Sequence, residues 1–347
     1  MALQSINIGS AANDGTGSTL RAAFDICNDN FTELYGGTTA ALGFKAEGTN
    51  FTGSLLVGHS TTGTISSATY NTALGIGAMD ALTSGDYNIA IGYNSATALT
   101  SGVRNTLIGG LAGDALTTGG YNVAIGYQAL TSEDNHNYNT AIGYLALQNL
   151  DAGADGYNVV VGYKAGKDMT TGVENTLIGG NAGIGLTTGS NNTAIGFEAL
   201  STEDAHGKNV AIGSSALKVQ DAGADAYNVA IGYDAGKAVS TAIRSTFIGA
   251  RAGYSITTGS DNVALGYYSL AANTIGNTNV ALGTQSMVTN VAADRNVAVG
   301  YQSLYNMTSP TTLDTYNVAV GYHSGLSVSS GTANTLIGGL AGDALTT

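Results

Sequence analysis

A five-residue phrase recurs sixteen times along the chain: Asn, usually Val or Thr, a mostly small residue, an aliphatic residue, and Gly. The Asn stands at positions 71, 88, 105, 122, 139, 158, 175, 192, 209, 228, 262, 279, 296, 317 and 334, and Ser245 replaces it once. The step is 17 residues, lengthened twice to 19 and once to 21. A fixed period of this length predicts a solenoid in which each repeat forms one coil.

Each repeat, counted from its Asn as position 1, begins with a short predicted strand. In the repeat that starts at Asn122, Val123 and Ile125 fall on one strand face, and Asn122 and Ala124 on the other. Stacking about 4.8 Å apart turns every position into a column. We expect the Asn column to form an amide ladder or to bind turn backbone. We predict that the position-4 aliphatics form the core: Ile91, Ile108, Ile125, Ile142, Ile178, Ile195 and Ile231.

Position 5 is always Gly, which predicts a bend with positive φ or a close backbone approach. Examples are Gly92, Gly109, Gly126 and Gly143. A second apolar point near position 12, followed by Thr-Thr-Gly or Thr-Ser-Gly, predicts two strands and two turns per coil. Where position 3 is large, as at Leu107, position 6 is small, as at Gly110. This exchange suggests that the two side chains compete for one space, and that one strand face packs against a neighbouring chain.

The predicted fold is therefore mostly β: an elongated β-roll or β-solenoid of about sixteen 17-residue coils, assembled as a parallel homotrimer, with one short N-terminal α-helix. Residues 18–37 carry that helix, because their apolar residues are spaced by 4, 3, 4 and 3. These are Leu20, Phe24, Cys27, Phe31 and Leu34. We expect a helical bundle between chains, although a single amphipathic helix on a globule fits the same spacing. Residues 1–17 form a predicted anchoring arm, 38–70 a neck with a first irregular coil, and 71–347 a shaft that continues past Thr347.

Composition narrows the classes of function. The chain has a net charge of −13 and no basic stripe, which argues against nucleic-acid binding. Cys27 is its one cysteine, so no intrachain disulfide forms. It has neither a signal-peptide pattern nor an apolar run of about 18 residues, so we predict no membrane association and synthesis in a cytoplasm without export by the usual route.

No catalytic or cofactor motif is recognised, and we predict that the chain is not an enzyme. The four histidines, His59, His136, His206 and His323, lack metal-ligand spacing, so we predict no metal site. Two related inserts lie 70 residues apart and carry Asp151, Asp155, Asp221 and Asp225. Inserts project from solenoids, so these aspartates are the candidate contact residues for a cation or glycan. Plain solvated turns are the alternative.

The Asn-Val-Ala-Ile-Gly repeats, as at 122–126 and 228–232, resemble the β-roll repeats of trimeric autotransporter adhesin heads. With Gly-Tyr-Gln-Ala-Leu and Leu-Thr-Thr-Gly, the phrase is more similar still to the shafts of phage tail fibres. The opening segment 13–34 resembles the N-terminal region of marine-phage fibre proteins. The resemblance implies a homotrimeric fibre on the virion. Its N-terminus would attach to a tail or baseplate protein, and a distal part would bind a host-cell receptor or glycan.

Three other functions fit a repeat of this kind. A monomeric solenoid could bind ice or polysaccharide through threonine columns, although position 2 alternates irregularly between Thr and Val. A bacterial trimeric surface adhesin shares the β-roll repeats, but the missing signal peptide argues against it. A left-handed β-helix acyltransferase would place aliphatic residues every six positions, which this chain does not do.

Overall fold

The computed structural model describes residues 44–46 (backbone only), 52–58, 66–309 and 311–347. The predicted anchoring arm and the helix with Leu20, Phe24, Cys27, Phe31 and Leu34 lie outside the described residues. Within the described ranges the chain contains strands, turns and bends and no helix.

In the described part of the chain, twenty short strands follow one another. They are β1 Phe44–Ala46, β2 Leu55–Val57, β3 Thr72–Leu74, β4 Ile89–Ile91, β5 Thr106–Ile108, β6 Val123–Ile125, β7 Thr140–Ile142, β8 Val159–Val161, β9 Thr176–Ile178, β10 Thr193–Ile195, β11 Val210–Ile212, β12 Val229–Ile231, β13 Thr246–Ile248, β14 Val263–Leu265, β15 Val280–Leu282, β16 Ala293–Asp294, β17 Val297–Val299, β18 Leu313–Asp314, β19 Val318–Val320 and β20 Thr335–Ile337.

Eighteen of these strands form one sheet. From β2 onward each strand pairs in parallel with the corresponding strand of the next coil, for example Val123 opposite Thr140. The register advances by one repeat each time, including the 19-residue step from Thr140 to Val159 and the 21-residue step from Val297 to Val318. Near the end of the longest repeat, β18 pairs in parallel with β16 of the preceding repeat and forms a separate two-stranded sheet. The predicted β-solenoid of about sixteen coils is confirmed, and β2 adds the coil expected just before residue 71.

Each regular coil contains one strand rather than the predicted two. The rest of the coil is a series of turns because four positions have positive φ, which an extended strand cannot contain. In the coil of Asn122 these are Gly126 at 142°, Gln128 at 52°, Leu130 at 55° and Tyr138 at 65°. The Gln128 N–H donates to the carbonyl of the preceding coil and the Leu130 N–H to that of the following coil, at 3.0 Å each. Hydrogen bonds to both neighbouring coils thus hold non-glycine residues in a conformation that costs about 1–2 kcal/mol.

The interior of the coil is lined by positions 1 and 3, not by position 4. Asn122 and Ala124 are fully buried, whereas Ile125 is only partly buried although a coil stacks on either side of it. The predicted core residues Ile91, Ile108, Ile125, Ile142, Ile178, Ile195 and Ile231 therefore lie on the outer face, and Ile178 and Ile231 are 37% and 36% exposed. That prediction is wrong. Strand alternation separates the two faces correctly, but it does not say which one faces inward.

Asparagine can occupy the interior because its amide is satisfied there. Asn105 Oδ1 accepts the Asn122 backbone N–H at 2.9 Å, and Asn105 Nδ2 donates to the Gly119 carbonyl at 2.9 Å. The same pair of contacts recurs along most of the column, in which Ser54 supplies the acceptor for the first Asn. The ladder binds the next coil through Oδ1 and its own coil's turn through Nδ2. Both roles expected from the sequence are therefore present.

The structure shows that the large side chain at position 3 packs against position 9, and not against position 6 as the sequence predicted. Leu107 and Leu177 point into the coil, where they contact the glycines at position 9, Gly113 and Gly183. A Cβ added to either glycine would lie 2.9 Å from a leucine Cδ2. Position 6, in contrast, lies on the outside, where Tyr127 is exposed. Positions 3 and 6 do not compete for one space, so this exchange gives no support for a neighbouring chain.

Candidate interaction face and insert loops

The outer face of the sheet carries two rows of side chains at positions 2 and 4. Position 4 is Ile, Leu or Val in all sixteen repeats, and position 2 is mostly Val or Thr. Leu265 is 47% exposed and Val159 is 41% exposed, although both lie in the middle of the sheet. Because the strands are parallel and in register, these residues form a continuous apolar stripe along the solenoid axis. We call it the outer stripe.

Tyrosine rows flank the outer stripe. After the bend glycine, Tyr127, Tyr144 and Tyr163 stack with ring centroids 5.8 and 5.5 Å apart. Before the Asn, a second row runs along the opposite edge, where Tyr138 stacks on Tyr157 at 4.9 Å. These spacings are in the range of favourable aromatic pairs. The exposed aromatic rows widen the apolar surface beyond the strands themselves.

Cations within the second tyrosine row are held by neighbours one coil away. Arg104 lies 5.5 and 5.3 Å from the ring centroids of Tyr87 and Tyr121. Arg244 donates to both carboxylate oxygens of Asp261 at 2.7 and 2.8 Å, and this hydrogen bonding lowers the pKa of Asp261. Such exposed pairs contribute little to stability. They do pair charges between successive coils, as Arg244 and Asp261 show.

The bend glycines have both properties expected for them. Gly92 and Gly126 have φ of 139° and 142°. A Cβ added to Gly92 would lie 2.5 Å from the Gly109 carbonyl oxygen, and Gly109 and Gly143 are equally crowded by the next coil. Backbones of successive coils therefore approach too closely at this corner for any side chain.

The four candidate aspartates of the inserts fall into two pairs. Asp155 accepts a hydrogen bond from Asn137 Nδ2 at 2.6 Å. Asp225 lies 2.6 Å from Lys208 Nζ, whose hydrogen bond lowers the pKa of Asp225. Asp151 and Asp221 are exposed and instead lie beside the turn of the preceding coil. The structure therefore does not bring the two aspartates of an insert together as one site.

Asp151 and Asp221 each join a cluster that the sequence analysis missed. The first cluster adds Glu133, Asp134 and His136, and the second adds the residues 70 positions later, Glu203, Asp204 and His206. Burial raises the pKa of Glu133, and it raises the pKa of Glu203 to about 7. The signal in the sequence was the repeated Glu-Asp-x-His, followed in both copies by Asp at the same distance.

None of the described residues forms a helix long and apolar enough to cross a membrane. Comparison with protein-family models, curated proteins and solved structures finds no match to this chain.

Proposed function

We propose that this chain is the proximal shaft of a homotrimeric phage tail fibre. The observation that carries the proposal is the outer stripe, an apolar face that runs the length of the solenoid. Soluble monomers rarely expose contiguous apolar patches beyond a few hundred Å². A continuous stripe of partly exposed aliphatics between tyrosine rows is typical of a surface that a partner covers.

The partner favoured by the geometry is a second copy of the same chain. The stripe repeats once per coil, so its ideal partner presents apolar side chains with the same spacing over the same length. A parallel copy does this without any further requirement. Three copies around a common axis would cover every stripe in a closed assembly. This threefold arrangement is also the one implied by the resemblance to tail-fibre shafts and adhesin heads.

A rod with this architecture has a mechanical role. Sixteen coils at about 4.8 Å per coil make a shaft on the order of 77 Å long. Its ladder of buried Asn side chains ties each coil to the next, as the 2.9 Å bond from Asn122 N–H to Asn105 Oδ1 illustrates. The shaft would hold a distal host-binding part away from the virion, and three identical chains would add avidity to weak contacts.

A threonine column seen in the structure does not favour the alternative of a monomeric ice or polysaccharide binder. At position 13, Thr83 Oγ1 donates to the Thr100 carbonyl at 3.0 Å, and Thr257 Oγ1 to the Thr274 carbonyl at 2.9 Å. These hydroxyl protons are already used between coils. The column therefore serves stacking before it can serve an external lattice.

The test is the solution mass of the full chain by size-exclusion chromatography with light scattering. We expect about three times the 34.7 kDa of one chain. Ile125→Glu places a charge in the outer stripe and should reduce the mass to that of one chain while the β-sheet circular dichroism is retained. The matched control, Ser101→Glu, lies in an exposed turn and should remain trimeric. A wild-type mass near 34.7 kDa at micromolar concentration would refute the trimer.

A further inference from the structure

We propose that the solenoid contains two binding sites for a divalent transition-metal cation, with Zn²⁺ as the best-matched ion. The first site consists of Glu133, Asp134, His136 and Asp151. The second consists of Glu203, Asp204, His206 and Asp221. In each, one candidate ligand atom from every residue lies within 4.8 Å of the others. The proposal concerns single chains and does not depend on the trimer.

The coil repeat explains how these residues meet. Glu133, Asp134 and His136 occupy positions 12, 13 and 15 of one coil, and Asp151 occupies position 13 of the next. Asp151 therefore stacks on Asp134 as any residue stacks on its counterpart one repeat away. The Thr117 N–H and Oγ1 both donate to the Asp134 carbonyl, at 2.5 and 2.8 Å. This anchors the backbone of the turn and leaves the Asp134 side chain for another ligand.

Burial of the glutamates is the first independent sign of a ligand. Position 12 is an interior column, filled by Leu116 before Glu133 and by Leu150 after it, and all three side chains are fully buried. A buried carboxylate is strongly unfavourable unless a positive charge compensates it. Leucine evidently fits this column, so packing does not require glutamate. The same substitution of acid for an apolar residue recurs at Glu203, which follows Leu186 in the column.

Unpartnered ligand atoms are the second sign. Glu203 is fully buried, and its Oε2 has no hydrogen-bond partner. His206 Nδ1 lies 3.3 Å from Glu203 Oε1 but makes no hydrogen bond. In the first cluster Asp134 Oδ1 is likewise buried without a partner. Buried polar atoms are rarely left unsatisfied. Here they are two carboxylate oxygens and one imidazole nitrogen, the atom types that bind metals, and each cluster contains at least one of them.

The remaining contacts orient the ligands. Glu133 Oε1 accepts from the His136 backbone N–H at 3.1 Å and lies 2.7 Å from His136 Nδ1, while Glu133 Oε2 lies 3.4 Å from the Ala152 N–H. These bonds fix the carboxylate relative to the imidazole before any ion binds. Ala152 belongs to the insert, so the first site also joins the insert to the coil beneath it.

The donor set determines the class of cation. One imidazole with up to three carboxylates suits Zn²⁺, which takes nitrogen and oxygen ligands in a four-coordinate site. Ca²⁺ and Mg²⁺ prefer sites made of oxygen alone. We therefore expect Zn²⁺ to bind more tightly than either. Bound at both sites, it would cross-link coils where the repeat is lengthened to 19 residues.

Isothermal titration calorimetry of the full chain, dialysed against a chelator, tests the proposal with ZnCl₂ as the probe. We expect two ions per chain. The Glu133→Gln and Glu203→Gln variants should each bind one ion, and the double variant none. The affinity of each altered site should fall by more than the roughly 10–100-fold that is typical when a residue that only hydrogen-bonds to a metal ligand is replaced. Asp155→Asn, in the same insert but outside the cluster, is the matched control and should retain two ions.

Folding must be checked separately, so Glu133→Leu with Glu203→Leu provides a second variant. It restores the apolar column and should keep the sheet, by circular dichroism and hydrogen exchange, while it binds no Zn²⁺. No binding to the folded wild-type chain, or undiminished binding to either double variant, would overturn the proposal. Equal or tighter binding of Ca²⁺ or Mg²⁺ than of Zn²⁺ would overturn the assignment to a transition metal.

Discussion

Truncation of one interior asparagine should weaken the solenoid locally and strongly. Asn105 is fully buried; its Oδ1 accepts the Asn122 N–H, and its Nδ2 donates to the Gly119 carbonyl. Asn105→Ala removes both contacts where water has no access. The substitution leaves one buried donor and one buried acceptor unpaired.

The magnitude follows from those two groups. Each unsatisfied buried polar group costs about 1–3 kcal/mol, so Asn105→Ala should lower the free energy of local opening by about 2–6 kcal/mol. Asn105→Ser should cost roughly half as much. Ser245 shows why: its Oγ accepts the Asn262 N–H at 3.2 Å but donates to the nearby Ile243 carbonyl, not to the turn that Asn reaches. Serine thus keeps the bond between coils and loses the bond within the coil.

Hydrogen exchange with mass spectrometry on the full chain measures this, since coils of a solenoid open locally. A change of about 1.4 kcal/mol alters an equilibrium constant tenfold, so exchange of the Asn122 amide should accelerate between about 30-fold and 10⁴-fold in the alanine variant. Amides of Val263–Leu265, nine coils away, serve as the internal control and should not change. An acceleration below threefold, or equal effects of alanine and serine, would refute the assigned roles of the amide.

Three further predictions follow from individual positions. Ser245→Asn should restore the missing amide and stabilise its coil by about 1 kcal/mol, seen as slower exchange there and contradicted by faster exchange. Gly113→Ala should lower the free energy of unfolding by about 1–3 kcal/mol because the added Cβ would crowd Leu107, and by about 1 kcal/mol less in a Leu107→Ala background. Ala96, at the same position of another coil, shows that alanine tolerates the positive φ there. If the two substitutions have additive effects in thermal unfolding, the proposed contact is contradicted. Burial raises the pKa of Asp114, so the ionised side chain destabilises the fold above that raised pKa, and this destabilisation is relieved as the pH falls through it. Asp114→Asn should therefore raise the melting temperature at pH 7 and raise it less at pH 4. A difference in melting temperature that does not depend on pH would contradict this.

Much of the fold could be predicted from the sequence because the repeat fixes the register. Period, strand position, lengthened steps and the crowded Gly corner all follow from one pattern. The interior could not be assigned in the same way. Val123 and Ile125 are more apolar than Asn122, so hydrophobicity alone places them inside. The structure reverses this because Asn122 finds a partner for its amide on the neighbouring coil and in its own turn.

The turn half of each coil and the acidic clusters were missed for related reasons. Gln128 and Leu130 have no propensity for positive φ, so local sequence gives no warning that they end the strand. Only hydrogen bonds to two neighbouring coils hold them there. The residues of the first acidic cluster are not spaced along the chain as metal ligands usually are, because Asp151 lies one 17-residue repeat after Asp134. Stacking brings these residues together.

The inverted coil has a consequence for assembly. The inward face of its strand holds asparagines and mostly small residues such as Ala124, while the aliphatic residues at position 4 stay partly exposed outside. Completing the burial of one position-4 side chain contributes roughly 0.5–1 kcal/mol, about a third of what full burial gives. Association of chains costs an estimated 4–15 kcal/mol or more. The sixteen position-4 side chains of each chain together contribute about 8–16 kcal/mol, which is of the same size as that cost, before position 2 and the tyrosine rows are counted. In the proposed trimer, Ile125→Glu would remove one such contribution and place an unpaired buried charge in each contact between chains, which makes it a demanding test.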